Sequence, residues 1–243
     1  MITLIKKLFF KIHLNKRSNI SNEQYNKIAI GALYSEQQGA FINSLTSGIN
    51  KSKLQKLLSS WWGINNEIEA IESLDYLLKK GFRYYFESVI EAYLAKENQQ
   101  KEAIIAKGLD NTVKEYEEDV EKAFSQLYNL TDTFEELSKN GIITNVNDLR
   151  KIGNLGWDCG RMVFLARVCF DAGYISEAKA WHYINEAYKL AIEKFSNWEG
   201  FSKSYILGRG MWGGTGCYNE GIMDIAKYLL KEEKSPWVQM KFK

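Results

Sequence analysis

Proline is nearly missing from this chain. It occurs once in 243 residues, at Pro236. A sheet protein of this length punctuates its turns heavily, and proline breaks helix interiors, so its scarcity favours long helices. No segment alternates apolar and polar residues with period two, which removes the main argument for strands. Cysteine is also sparse. Cys159, Cys169 and Cys217 are odd in number and form no CxxC pair. That usage excludes a disulfide framework and fits reduced thiols that act as small core residues in a cytosol. A dominant charge is lacking too: 32 basic residues against 30 acidic ones leave +2. A nucleic-acid binder usually carries a strong basic excess, so none is expected as a partner. No apolar run reaches the length of a transmembrane helix. His13 and His182 are the two histidines. No HExxH or GxSxG motif accompanies them, so no metal, cofactor or nucleophile–base pair is expected.

What is present begins with an amphipathic segment. Ile2, Leu4, Ile5, Leu8, Phe9 and Ile12 are interleaved with Lys6, Lys7, Lys11, Lys16 and Arg17. The lysines interrupt the run that a secretory signal needs, and no small-residue cleavage site follows. Residues 1–20 read as an amphipathic helix docked on the rest. Contact with a membrane surface through residues 1–17 is the lesser alternative. Residues 21–243 read as one all-α domain.

Within that domain the apolar spacing predicts a helix from Ser21 to Gly39, a loop from Gly39 to Asn50, and a short helix ending at Gly63. Asn65 or Asn66 caps the next helix, which Gly81 ends. Phe82 to Glu97 reads as an aromatic-rich helix. Leu109, Val113, Tyr116, Val120, Ala123, Leu127 and Leu130 step by fours and threes. This is a seam of about three heptads, expected to form a charged helical hairpin arm within a monomer. Thr133 to Glu136 reads as a capping box opening a separate short helix that Gly141 closes. A last helix runs from Tyr218 to Leu230, followed by an irregular tail.

The chain is organised around Leu155 to Trp212, which holds four of the seven tryptophans. Projected at about 100° per residue, the segment at about 155–173 is apolar nearly all round, so it should be a central buried helix. Asp158 and Arg161 stand three apart on it, within reach of an ion pair. Arg167 faces another way and needs its own partner. Ser176 caps the following helix, and Ser196 to Glu199 reads as a capping box for the one after. Gly208 to Gly213 matches GxGxxG, but a helix rather than a strand precedes it, so helix termination and close packing is the better reading than a dinucleotide site.

The stretches GWDCGRMVFLAR, AGYISEAKAW and FSNWEGFSKSYILGRGMW, together with LLSSWWGINNEIEAIESLDYLLKKGFR earlier, resemble the bacterial domain of unknown function family 1266. The resemblance implies a helical fold and a bacterial cytoplasmic protein, and supplies no activity or catalytic residue. One departure stands out. The family's early block commonly ends Gly-His-Arg, where this chain has Gly81-Phe82-Arg83, so no mechanism resting on that histidine carries over.

Functionally, the residues leave one constellation: Trp157, Asp158, Arg161, Arg167, Trp198, Tyr205 and Arg209. Buried charges among aromatics either fix helix register or line a pocket for an anionic ligand. The first reading is favoured. With no catalytic signature, the expected function is a non-enzymatic protein-binding or accessory domain, of the kind that serves immunity in bacterial competition systems. The alternative is an enzyme or small-anion binder using that cluster.

Overall fold

The structure is a computed structural model, and it describes residues 11–243. The expected amphipathic helix therefore falls mostly outside the described residues. Its described end, residues 11–17, is not helical: His13 bridges Phe41 and Ile12 is buried. The helices are α1 (Asn22–Ile28), α2 (Ala32–Gln38), α3 (Lys51–Lys56), α4 (Glu67–Lys79), α5 (Phe86–Leu94), α6 (Asn98–Gly108), α7 (Tyr116–Lys139), α8 (Asp148–Ile152), α9 (Leu155–Asp171), α10 (Glu177–Lys194), α11 (Trp198–Gly213), α12 (Asn219–Leu229) and α13 (Pro236–Gln239). Among the described residues there is no β-strand, so the protein is all-α. None of these helices is long and apolar enough to cross a membrane.

The chain divides into two compact units. The described part of the first is residues 11–80, 159–201 and 220–243; the second is 81–158 and 202–219.

In the first unit, α9 supplies the core. Every residue from Cys159 to Cys169 is buried, as the helix's all-round apolarity requires. Phe164 stacks on Tyr34 at 4.3 Å. Arg167 is fully buried and belongs to the loop after α2. Its guanidinium donates to the carbonyls of Phe41 at 2.5 Å, Thr46 at 3.1 Å and Leu45 at 3.2 Å, and to the Ser35 hydroxyl at 2.8 Å. A loop carries backbone carbonyls that no ladder satisfies, and a planar fork of donors is the one side chain that reaches several of them at once. Burial lowers the Arg167 pKa to about 10, and Asp171 opposes the shift, so the group stays charged at neutral pH. Asp171 in turn accepts from the amide and hydroxyl of Ser47.

The tail differs from expectation. It ends in α13, whose Trp237 is buried, stacks on Trp198 at 5.3 Å and donates to the Ala29 carbonyl at 2.9 Å. Three large rings, Trp198, Trp237 and Phe242, bury enough apolar surface to hold a short segment that local propensity alone would leave irregular. The caps match the sequence reading at Asn66 and Ser176. They differ at α11, where Asn197 rather than Ser196 accepts from the Gly200 amide at 2.8 Å.

In the second unit, α5 is preceded by a 3-10 turn at Phe82–Tyr85, so the aromatic segment is two pieces. The expected heptad seam is also broken. α6 ends at Gly108, and Val113 lies exposed in the turn before α7. The buried stripe of α7 runs instead through Asp119, Ala123, Gln126, Leu127, Leu130, Thr133 and Leu137. Thr133 opens no new helix. Its hydroxyl bonds back to the Asn129 carbonyl at 2.7 Å, and α7 continues through it. Asp119 is buried because the Tyr85 hydroxyl donates to it at 2.8 Å.

Replacing Arg167 by lysine is expected to cost on the order of 3–5 kcal/mol in urea unfolding, because a point ammonium leaves several buried carbonyls unmatched. Hydrogen exchange at residues 41–47 should rise more than elsewhere in the first unit. Equal protection in the variant would show that the guanidinium does not hold the loop.

Glu36 gives a pH prediction. Burial raises its carboxyl to about 7, and the Lys11 backbone bond opposes this only partly. A raised acid favours the neutral form. Its stabilisation is therefore complete below the usual value near 4.5 and lost as pH rises through about 7. Glu36→Gln should melt at a higher temperature than the parent at pH 8 and no higher at pH 4.5. A pH-independent difference in Tm would contradict this.

Candidate functional site

The residues singled out in the sequence fall in both units. Arg167 belongs to the loop network of the first unit, and Trp198 to the ring cluster with Trp237 and Phe242. Arg161, also in the first unit, is 6% exposed and places its guanidinium 5.8 Å from the Trp62 ring centroid. In the second unit the structure brings together Trp157, Tyr205 and Arg209. Trp157 meets Tyr205 edge-on at 5.0 Å, and the Arg209 guanidinium lies 5.8 Å from the Trp157 centroid while donating to the Cys217 carbonyl at 2.7 Å.

Asp158 is fully buried, and its chemistry is that of a helix cap supplied from far away in sequence. One carboxylate oxygen accepts the Phe82 amide at 3.0 Å. The other accepts the Arg83 amide at 3.0 Å and the Arg83 guanidinium at 3.2 Å. The 3-10 turn at Phe82 begins after Gly81, which has no side chain to cap it. Gly81 holds φ at +61°, and a Cβ there would overlap the Asp158 carboxylate. The glycine is thus required both by its backbone and by the anion beside it. Arg83 is a partner of Asp158 that the sequence did not reveal. No local signal pointed to a partner 75 residues away.

The literal GxGxxG lies inside and at the end of α11. A Cβ on Gly208 would overlap Trp157 and stand 3.0 Å from the Asn154 carbonyl. The glycine lets α11 approach the segment that starts α9, which is close packing rather than a phosphate loop.

Beyond α11, the run Gly213 to Tyr218 is tied to α7. Asn129 donates to the carbonyls of Met211 at 3.1 Å and Trp212 at 2.9 Å. Asp132 accepts the Thr215 amide at 3.0 Å and its hydroxyl at 2.6 Å, which lowers the Asp132 pKa. Three large rings flank this junction and face solvent: Tyr128 (72% exposed), Tyr218 (71%) and Trp212 (45%). Tyr218 holds φ at +57°, the one described non-glycine residue with positive φ. A bulky residue in that region is strained, and such strain gathers at working surfaces. Nothing in the local sequence pattern singles out these three rings as a surface. Burial pushes the Cys169 thiol up to about 12 and raises that of Cys217 as well, which disfavours their thiolates.

A double-mutant cycle checks the cap. Asp158→Asn should lose about 3–5 kcal/mol, since it leaves a partly buried guanidinium and one amide without their acceptor. Arg83→Met should lose less, and the pair should couple by at least 1 kcal/mol. Additive losses in urea would mean that the two side chains act independently.

No curated protein and no solved structure matches the chain. One family model does, over residues 57–242, and it is described as a protein of unknown function, DUF1266. That span takes in both 3-10 turns of the second unit, the whole of α9 to α13, and the tryptophan pair at Trp61–Trp62. The chain belongs to the DUF1266 family.

Proposed function

We propose that this chain is a non-enzymatic protein-binding module of the bacterial cytoplasm, and that it engages its partner through Tyr128, Trp212 and Tyr218. The observation that carries this reading is the exposure of three large rings around one hydrogen-bonded junction. Tryptophan and tyrosine dominate the energetics of protein interfaces because they bury large rigid areas at low entropic cost. The buried charges favour the same reading. Asp158 accepts from two backbone amides and Arg167 donates to three backbone carbonyls of their own units, which are structural roles. An odd number of cysteines with no CxxC pair supports the reducing compartment. An accessory role, including an immunity-type one, is compatible with a module whose work is binding.

Affinity purification from the native host tests this. The parent should retain one protein in stoichiometric amount, and Tyr218→Gly should reduce that retention at least tenfold. Glycine relieves the positive φ, so this variant should melt no lower than the parent. Trp212→Ala should behave alike in binding. Retention of the same protein by both variants, or a co-purifying metabolite with no protein partner, would overturn the proposal.

A further inference from the structure

The ring-bearing surface of the second unit carries charge of one sign. The residues of that unit, 81–158 and 202–219, include fifteen acidic side chains against eleven basic ones. The excess gathers on α7. Between residues 123 and 138 every charged residue is acidic, namely Asp132, Glu135 and Glu136, and residues 210–219 hold no charge at all. Glu121, Tyr128 and Glu135 stand seven apart, so the helix places them along one line, about 10 Å from one to the next. All three are exposed, and so is Asp132 one turn after Tyr128. The ring of Tyr128 is therefore bracketed by carboxylates.

These carboxylates keep capacity for a partner. Asp132 takes both Thr215 bonds on Oδ2, so Oδ1 remains an acceptor. The same bonds hold its carboxyl below the usual carboxylate range, so it stays anionic in mild acid. Glu121 and Asp132 form no ion pair among the described residues. Glu135 meets Lys139, but both are exposed, and an exposed pair is readily exchanged for another. Arg209, the cation nearest Trp212 in sequence, is buried and donates to the Cys217 carbonyl. Anions beside exposed ring faces select cations. A guanidinium lies on tryptophan and tyrosine faces and meets a carboxylate in two parallel bonds, so one residue type satisfies both features of the surface.

We infer that the partner segment received by Tyr128, Trp212 and Tyr218 is rich in arginine, its guanidinium groups lying on the rings and pairing with Glu121, Asp132 and Glu135. The inference rests on the protein-binding reading above and names the chemistry of what is bound. Fluorescence anisotropy with the full chain tests it, using a fluorescein-labelled nonapeptide of alternating glycine and arginine. The same peptide with citrulline, the neutral isostere of arginine, is the control. The arginine peptide should bind saturably and at least tenfold more tightly than the citrulline peptide. Raising salt from about 50 to 300 mM should weaken it severalfold. Glu121→Lys combined with Glu135→Lys should reduce its affinity at least tenfold, and Trp212→Ala should reduce it too. If the lysine pair does not fold, Glu121→Gln with Glu135→Gln decides, with a severalfold loss expected. No saturable binding, equal binding of the citrulline peptide, or an affinity unchanged in the charge variants or in Trp212→Ala would overturn the inference. So would light scattering that shows the parent to be a dimer which the lysine pair dissociates, since a second copy would then occupy the surface. The two readings fail separately. Loss of the host protein in Tyr218→Gly and Trp212→Ala, with no binding of the arginine peptide, would strike the arginine segment alone; retention of the host protein by both ring variants would strike the surface itself.

Discussion

The hydrogen bonds of the buried Arg167 guanidinium are the constraint on which the first unit depends. The loop from Phe41 to Thr46 has no regular partner for its carbonyls, yet it packs against the core, with Ile42 and Leu45 buried. Burying those carbonyls unmatched would cost several kcal/mol. A single side chain on α9 supplies their donors and brings a charge inside in exchange. That charge is tolerable because its donors are used in several directions, and because Asp171, one helical turn on, interacts favourably with it.

Asp158 solves the opposite problem on the same helix. Where Arg167 brings donors to orphan carbonyls, Asp158 brings acceptors to the orphan amides at the start of the Phe82 turn. α9 thus serves the backbone of other segments with one buried cation and one buried anion, each matched to the polarity of what it caps. This explains why a helix that is apolar nearly all round keeps charged residues at all. They terminate loops and turns that have no residue of their own able to do so, as the side-chainless Gly81 illustrates.

These roles separate residues that look alike in sequence. Arg161, Arg167 and Arg209 are all buried arginines near aromatics. Arg167 is enclosed by loop carbonyls, and Arg209 is bonded to the Cys217 carbonyl beside Trp157. Arg161 lines a cavity. Surroundings, rather than residue type, distinguish the three.

The sequence by itself determined what depends on near neighbours. Helical class, the burial of α9, the caps at Asn66 and Ser176, and the turns at Gly39 and Gly63 follow from spacing and backbone preference within a few residues. Tertiary structure decided what depends on distant ones. Arg83 as a partner of Asp158, the carbonyls held by Arg167 and the docking of Trp237 on Ala29 join positions many tens of residues apart. The same is true where local signals misled. Thr133 has the pattern of a cap, but its position on the buried stripe of α7 made continuing the helix the better way to satisfy its hydroxyl. Val113 fits the heptad count, yet the chain turns there and leaves it exposed. Periodicity reports which face of a helix is apolar. It carries no information on which backbone groups elsewhere lack partners, and in this protein the placement of the buried charges follows from those groups.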